Sequence, residues 1–337
     1  MDSVTQLTLG AAVAAATLPC SKSNRFKIVA TGAVLGTLPD LDVLLDYGDV
    51  VSNMVLHRAQ SHAFFYQTLL TPLLALLAAT ICQQRQHYLR WIVATWLILI
   101  SHSAIDAMTI YGTQLALPFN SMPYAVGSIF IIDPLYTLPL LLGVGLFLSR
   151  KSDTAAARAN LLGIMLSSLY MLWTVAAQWQ VSHIARQNLA VQQLSYDMLL
   201  VTPAPLNTLL WRIVAMTEQG YAEGFYSLLD SDAAISWHYV STDPVLSSRY
   251  KQLKSVRQLA AFSRGFYSLR QHDGRLLLTD LRMGQEGSYA FEFIIDEQSG
   301  MPLAQLPMHH NSDIALPWLW RRVLGQQLPS PYWPSDQ

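Results

Sequence analysis

The stretch AFFYQTLLTPLLALLAATIC, residues 63–82, decides how the rest of the chain is read. It carries no acidic or basic side chain, and about 20 mostly apolar residues in a helix cross the ~30 Å hydrocarbon layer of a bilayer. Working outward, SIFIIDPLYTLPLLLGVGLFL at 128–148 has the same character, and segments 28–46, 89–108 and 160–181 follow it. Residues 7–19 are apolar but short, which suits a tilted or half-buried first helix. Only 13% of the chain is charged, against roughly a quarter in a soluble domain. That deficit falls in residues 1–182, while 183–337 have an ordinary soluble composition. The expected fold is mainly α: a multi-pass transmembrane helical bundle of five to six helices over 1–182, then a small α+β soluble domain with an antiparallel sheet over 183–337.

The stretches between the apolar segments set the orientation. KSNRFK (22–27), the loop 83–90 and the loop 149–159 carry most of the basic residues. The alternating stretches 47–62 and 109–127 hold one, Arg58. Basic loops stay on the cytoplasmic side, so the expected location is a bacterial inner membrane with the C-terminal domain in the periplasm. A cleaved leader is not expected, because MDSVTQ lacks the basic start that such a peptide needs. Cys20 and Cys82 have no CxxC spacing and offer no thiolate site. A net charge of −1 gives no field for nucleic acid, so none is expected as a partner.

Beside the span at 63–82 lies LPDLDVLLDYGDVVSNMVLHRAQSH (38–62), dense in ionisable groups. On the topology above, Asp40, Asp42, His57, His62, His102, Asp106 and Asp133 all fall near one membrane face. Ionisable side chains at membrane depth are costly unless paired or wetted, and mark function by default. In SHSAID, His102 and Asp106 are four apart and share a helix face. Imidazole plus carboxylate without thiolate suits a divalent metal, zinc first, with manganese and iron as alternatives. Seven ligands exceed the three or four that one zinc takes, so two ions would use them better. Arg58 has the fork geometry to hold a phosphoryl oxygen.

Plainer roles compete at each position. Asp40 or Asp42 can cap a helix, and Asp133 before Pro134 has the form of an N-cap. His102 and Asp106 can bond helices together, and His57 can simply be wetted at the interface. YGTQLALPFNS (111–121) shapes a pocket or merely connects helices. Downstream, EGFYSLL, ISWHYV, GFYSLRQ, RLLLTDLRMG and SYAFEFIID read as strands, with HDGR and EQSG as hairpin turns. NTLLWRIV (207–214) reads as packing, and His309 with His310 as a solvated pair.

Taken together, MDSVTQLTLGAAVA, GTLPDLDVL, HRAQSH, SHSAIDAMTIYGT and IIDPLYTLPLL resemble, over about residues 1–180, the YdjM-like, LexA-binding, inner-membrane-associated family of metal-dependent hydrolases. The resemblance implies a multi-pass membrane protein with a metal site. Asp40, Asp42, His57, His62, His102 and Asp106 are the positions that match, with Arg58 and Asp133 accompanying them.

The function expected is that of a membrane-embedded metal-dependent hydrolase, its site near the outer leaflet. Asp42, Arg58 and Asp106 are its catalytic candidates, with an aspartate not fully engaged by metal as general base. Its partners are the lipid bilayer, an amphiphilic or lipid-linked (phospho)ester substrate, and a protein partner of the C-terminal domain. Two rivals stand beside it: an ion- or solute-handling membrane protein, and a non-catalytic membrane anchor that displays the C-terminal domain.

Overall fold

A computed structural model describes residues 1–272, 274–309 and 311–333. His310 and Asp273 of the HDGR turn therefore lie outside the described residues. The chain divides into two compact units: Met1–Leu45 with His57–Thr174, and Asp46–Leu56 with Val175–Gln337.

The first unit is helical. It contains α1 (Ser3–Thr17), α2 (Arg25–Thr37), α4 (Phe64–Ile81), α5 (Tyr88–Met108), α6 (Pro134–Ser149) and the first part of α7 (Asp153–Val191). Among the described residues, three helices are long and apolar enough to cross a membrane: Phe64–Ile81, Arg85–Met108 and Asp153–Val191. Helices α1 and α6 are apolar but shorter; 15 residues in α1 reach only ~22 Å at ~1.5 Å per residue. The segment expected as one helix over 28–46 stops at Thr37, and Pro39–Leu44 continues as a 3-10 turn. Pro39 is the reason, since its ring cannot follow an α-helical turn without breaking a hydrogen bond.

Helix α1 packs on α2, α5 and α6, and α4 packs on α5. The α1–α2 contact is backbone to backbone. A Cβ on Gly32 would sit 2.4 Å from Ala14 Cβ and 2.6 Å from Gly10 O, and one on Gly36 would sit 2.6 Å from Gln6 O. Small residues four apart let helices approach this closely where lipid supplies no hydrophobic drive. That approach fixes where Gln6 and the Gly36 carbonyl lie. At the other end of α2, buried Arg25 donates to Phe147 O and Arg150 O and pairs with Asp153. The outward face of α4 is bare leucine: Leu69, Leu70, Leu73, Leu76 and Leu77 are all exposed.

The second unit is built on antiparallel sheet. Strands β1 (Met198–Pro203), β2 (Leu210–Thr217), β3 (Gly220–Ser227) and β4 (Trp237–Ser241) form a meander in sequence order. Helices α8 (Pro244–Tyr250) and α9 (Lys254–Phe262) lead to β5 (Tyr267–His272) and β6 (Arg275–Asp280). The short pair β7 (Gly284–Gln285) and β8 (Ser288–Tyr289) follows, then β9 (Glu292–Ile295) and β10 (Pro302–Gln305). These make a second four-stranded sheet in the order β10-β9-β6-β5, with β7-β8 as a separate ribbon, and α10 (Ser312–Val323) comes last. The second half of α7 packs Ala177, Val181 and Ala185 against Val201, Trp211, Ile213 and Tyr226 of the first sheet.

Two expectations change here. Among the described residues there are two four-stranded sheets rather than one small one; NTLLWRIV does serve packing as expected, through a strand, β2, whose alternation is hidden because both faces are buried. The stretch 47–62, expected as one loop of the bundle, is divided. Its helix α3 (Val50–Leu56) belongs to the second unit and packs on α9 and β10. Lys254 reaches Asp49 at 3.3 Å there.

Candidate metal centre

Three elements of the first unit bring four side chains to one place. The 3-10 turn after α2 brings Asp40, the short turn Gln60–His62 before α4 brings His62, and the last turns of α5 bring His102 and Asp106. His102 and Asp106 share a face because they are one helical turn apart. One ligand atom from each of the four lies within 4.8 Å of the others. His62, His102 and Asp106 are buried, and the Asp40 side chain is 25% exposed.

The tautomers follow from the neighbours. His102 Nδ1 lies 2.6 Å from Gly36 O, which can only accept, so Nδ1 carries the proton and Nε2 presents its lone pair. Ser61 Oγ donates to Asp42 Oδ2 at 2.6 Å and therefore accepts from His62 Nδ1 at 2.8 Å. His62 Nε2 is then also a lone pair, 3.1 Å from His102 Nε2. Facing both are two carboxylate oxygens. His62 Nε2 is 3.3 Å from Asp40 Oδ1 and 3.2 Å from Asp106 Oδ2. His102 Nε2 is 3.5 Å from each of the same oxygens.

Both oxygens, Asp40 Oδ1 and Asp106 Oδ2, are buried without a hydrogen-bond partner. Four electron-rich atoms converging in a buried space repel one another unless a positive charge sits between them. A tetrahedron with arms of ~2.0–2.1 Å, the usual zinc distances to nitrogen and oxygen, has edges of ~3.3–3.4 Å. The five separations that involve an imidazole nitrogen, 3.1 to 3.5 Å, are close to those edges, and the two carboxylate oxygens lie within 4.8 Å of each other. The donor set therefore fits a divalent cation.

The chain's first 181 residues match the family described as YdjM inner membrane protein. The chain belongs to this family. The resemblance read from the five motifs is thereby borne out, and membership together with the apolar helices places the protein in the inner membrane. No curated protein and no solved structure matches the chain.

In this YdjM family member the remaining expected site residues fall around the four rather than among them. Asp42 is not one of the four but sits behind His62, with Oδ2 3.6 Å from His62 Nδ1, and it holds His57 Nδ1 at 2.8 Å and Arg58 N at 2.9 Å. Arg58 has φ 64°, a strained conformation for a residue with a side chain. This turn presents its N–H to Asp42 while its guanidinium lies over Tyr111, with Nε 3.3 Å from Asp106 Oδ2. His57 is the more open of the imidazoles, its side chain 21% exposed. Asp133 does not join the cluster. It caps α6 through Leu135 N and Tyr136 N and accepts from Tyr170 OH at 2.9 Å, the plainer of its two expected roles.

Four further contributors lie outside the expected set. Gln6 donates to Asp106 Oδ1 at 2.9 Å, beside the Met1 amino group that pairs with the same atom. Ser61 links Asp42 to His62, and the Gly36 carbonyl orients His102. Such outer groups aim the ligands and raise their basicity.

Proposed function

We propose that the chain is a membrane-embedded metal-dependent hydrolase acting on an amphiphilic or lipid-linked (phospho)ester. The observation that carries this reading is the pair of buried, unpartnered carboxylate oxygens set against two imidazole lone pairs. Asp40, His62, His102 and Asp106 would hold one divalent cation, zinc before manganese or iron. Among the described residues they are the one group of three or more His, Cys, Asp or Glu with ligand spacing. A bound cation supplies Lewis acidity to a substrate oxygen and acidifies water.

The protein's own groups supply the rest. His57, oriented by Asp42 through Nδ1, has its Nε2 available to take a proton from water and return it to a leaving group. Arg58, its Nε 3.3 Å from Asp106 Oδ2 and its guanidinium over Tyr111, would lend positive charge toward an anionic oxygen. We place five or six helices across the inner membrane. The ends bearing Arg25 and Arg85 face the cytoplasm, and the metal centre and the second unit face the periplasm. The excess of basic residues in 22–27, 83–90 and 149–159 supports that orientation.

One observation favours a second reading. Four protein ligands can close a tetrahedron, and closed sites are commonly structural. A structural ion would make the first unit an anchor for the second. Replacing His57 by Ala separates the two. On the hydrolase reading, His57→Ala keeps its metal and loses at least ~100-fold in turnover of an ester that the wild type cleaves. Metal retained with no hydrolysis across a panel of amphiphilic phosphate and carboxylate esters would leave the anchor reading standing.

A further inference from the structure

A groove of about 660 Å³ runs beside the head of α4, lined by Phe64, Phe65, Thr68, Leu69 and Pro72 on the helix and by residues 115–119 opposite. It falls within the ~300–1,000 Å³ of ligand pockets. Its one polar side chain, Thr68, is already engaged, donating to Phe64 O and accepting from Trp96 Nε1. No hydrogen-bonding side chain is left for a polar occupant, so the surface suits hydrocarbon.

Two features connect the groove to lipid and to the metal centre. Downward, it continues into the exposed leucines of α4, on a helix long and apolar enough to span the membrane. Phe119 of the groove wall is exposed, as are Met122, Tyr124 and Val126 farther along the same loop, apolar surface that is costly in water and favourable at a bilayer interface. Upward, the groove begins two residues after His62. Its far wall is bonded to the site segment on both sides, through Gln114 N to Arg58 O and through Phe64 N to Leu115 O. From Phe64 to Pro72 the helix carries the groove ~12 Å from the cluster's edge.

We propose that this groove seats one hydrocarbon chain of a membrane lipid whose head group reaches Asp40, His62, His102 and Asp106. This rests on the hydrolase reading for the head group's fate, and it narrows the substrate to a lipid rather than a soluble ester. Full-length protein in phosphatidylglycerol nanodiscs carrying a trace of phosphatidylglycerol with a terminal diazirine on one acyl chain provides the probe. Crosslinks should concentrate on the peptides spanning 64–72 and 115–119. Filling the groove by Ala116→Trp should cut them about tenfold, while Leu142→Trp on exposed α6 should leave them unchanged. Leu69→Asn, which spoils the groove without filling it, should give an intermediate loss, and metal content reports that each variant is folded. Labelling spread evenly over the exposed leucines, or unmoved by Ala116→Trp in metal-loaded protein, would overturn the proposal while sparing the metal centre. Focused labelling in wild-type protein that binds no metal would overturn the hydrolase reading and leave the groove.

Discussion

The two units bury carboxylates in opposite ways. In the second, each deep acid has a guanidinium of its own. Arg282 forks onto Asp280 and donates to Phe262 O; Arg322 forks onto Asp230 and donates to Phe225 O. Arg212 pairs with Glu223 and donates to Leu281 O, and Arg270 grips both oxygens of Glu286. Among the described residues, no carboxylate oxygen in this unit is buried without a hydrogen-bond partner. In the first unit, Asp40 and Asp106 each keep a buried oxygen without a hydrogen bond; Asp106 has Arg58 Nε at 3.3 Å and the Met1 amino group beside it, and the other close neighbours of the two oxygens are imidazole nitrogens. A protein that satisfies its buried acids so fully in one half does not leave two exposed to mutual repulsion in the other by neglect. The contrast teaches that the second set is matched to charges within the chain, while the first is a cluster that could hold a cation from outside it.

The sharpest break in that contrast is removal of a proposed ligand. His62→Ala should bring the metal content of purified protein close to zero while leaving the β-sheet circular dichroism of the second unit intact. The mirror experiment is Arg282→Leu, which leaves Asp280 buried and unpaired. It should cost about 3–5 kcal/mol in the unfolding of the second unit and leave metal content unchanged. Loss of both properties in either variant would mean that the two kinds of site are not independent.

A smaller effect tests the support around the ligands. Gly32→Ala forces α1 away from α2, because the new Cβ would lie 2.6 Å from Gly10 O. Gln6 and the Gly36 carbonyl then move, and metal affinity measured by competition with a chelator should fall about 10–100-fold. The smallest effect is a pH dependence of the second unit. Burial raises the Glu286 pKa, but the Arg270 guanidinium outweighs it and holds the carboxyl below its ordinary value. A depressed acid contributes stability above the unfolded-state pKa of ~4.3 and loses it as pH falls through the folded value. The melting temperature of the sheet signal should therefore decline below about pH 4 in wild type, and less steeply in Glu286→Gln.

Three of the four side chains that could hold an ion were legible in HRAQSH and SHSAID, because they come from local spacings. His102 and Asp106 are paired by helical periodicity, and the scarcity of charge around them marks them out. The division of labour between Asp40 and Asp42 was not legible, since it depends on the 3-10 turn after Pro39 sending neighbouring carboxylates in different directions. Gln6 and the Gly36 carbonyl were out of reach for another reason. Their roles arise from the α1–α2 approach and long-range contacts, one of them through a backbone atom, which no side-chain pattern reports. Asp133 shows the converse: the Asp-Pro pair spelled an N-cap, and the structure uses it as one. In the second unit, strand β2 was hidden by burial on both faces. The transfer of α3 to that unit was hidden because a seven-residue amphipathic helix looks like any loop between spans.

The account turns on one cation among four named atoms, and X-ray absorption at the metal edge of detergent-purified wild-type protein reads that directly. It should show about one divalent ion per chain in a shell of nitrogen and oxygen at ~2.0–2.1 Å, with outer scattering from two imidazoles and no sulfur. A metal-free preparation that still folds, or a shell containing sulfur at ~2.3 Å, would contradict it.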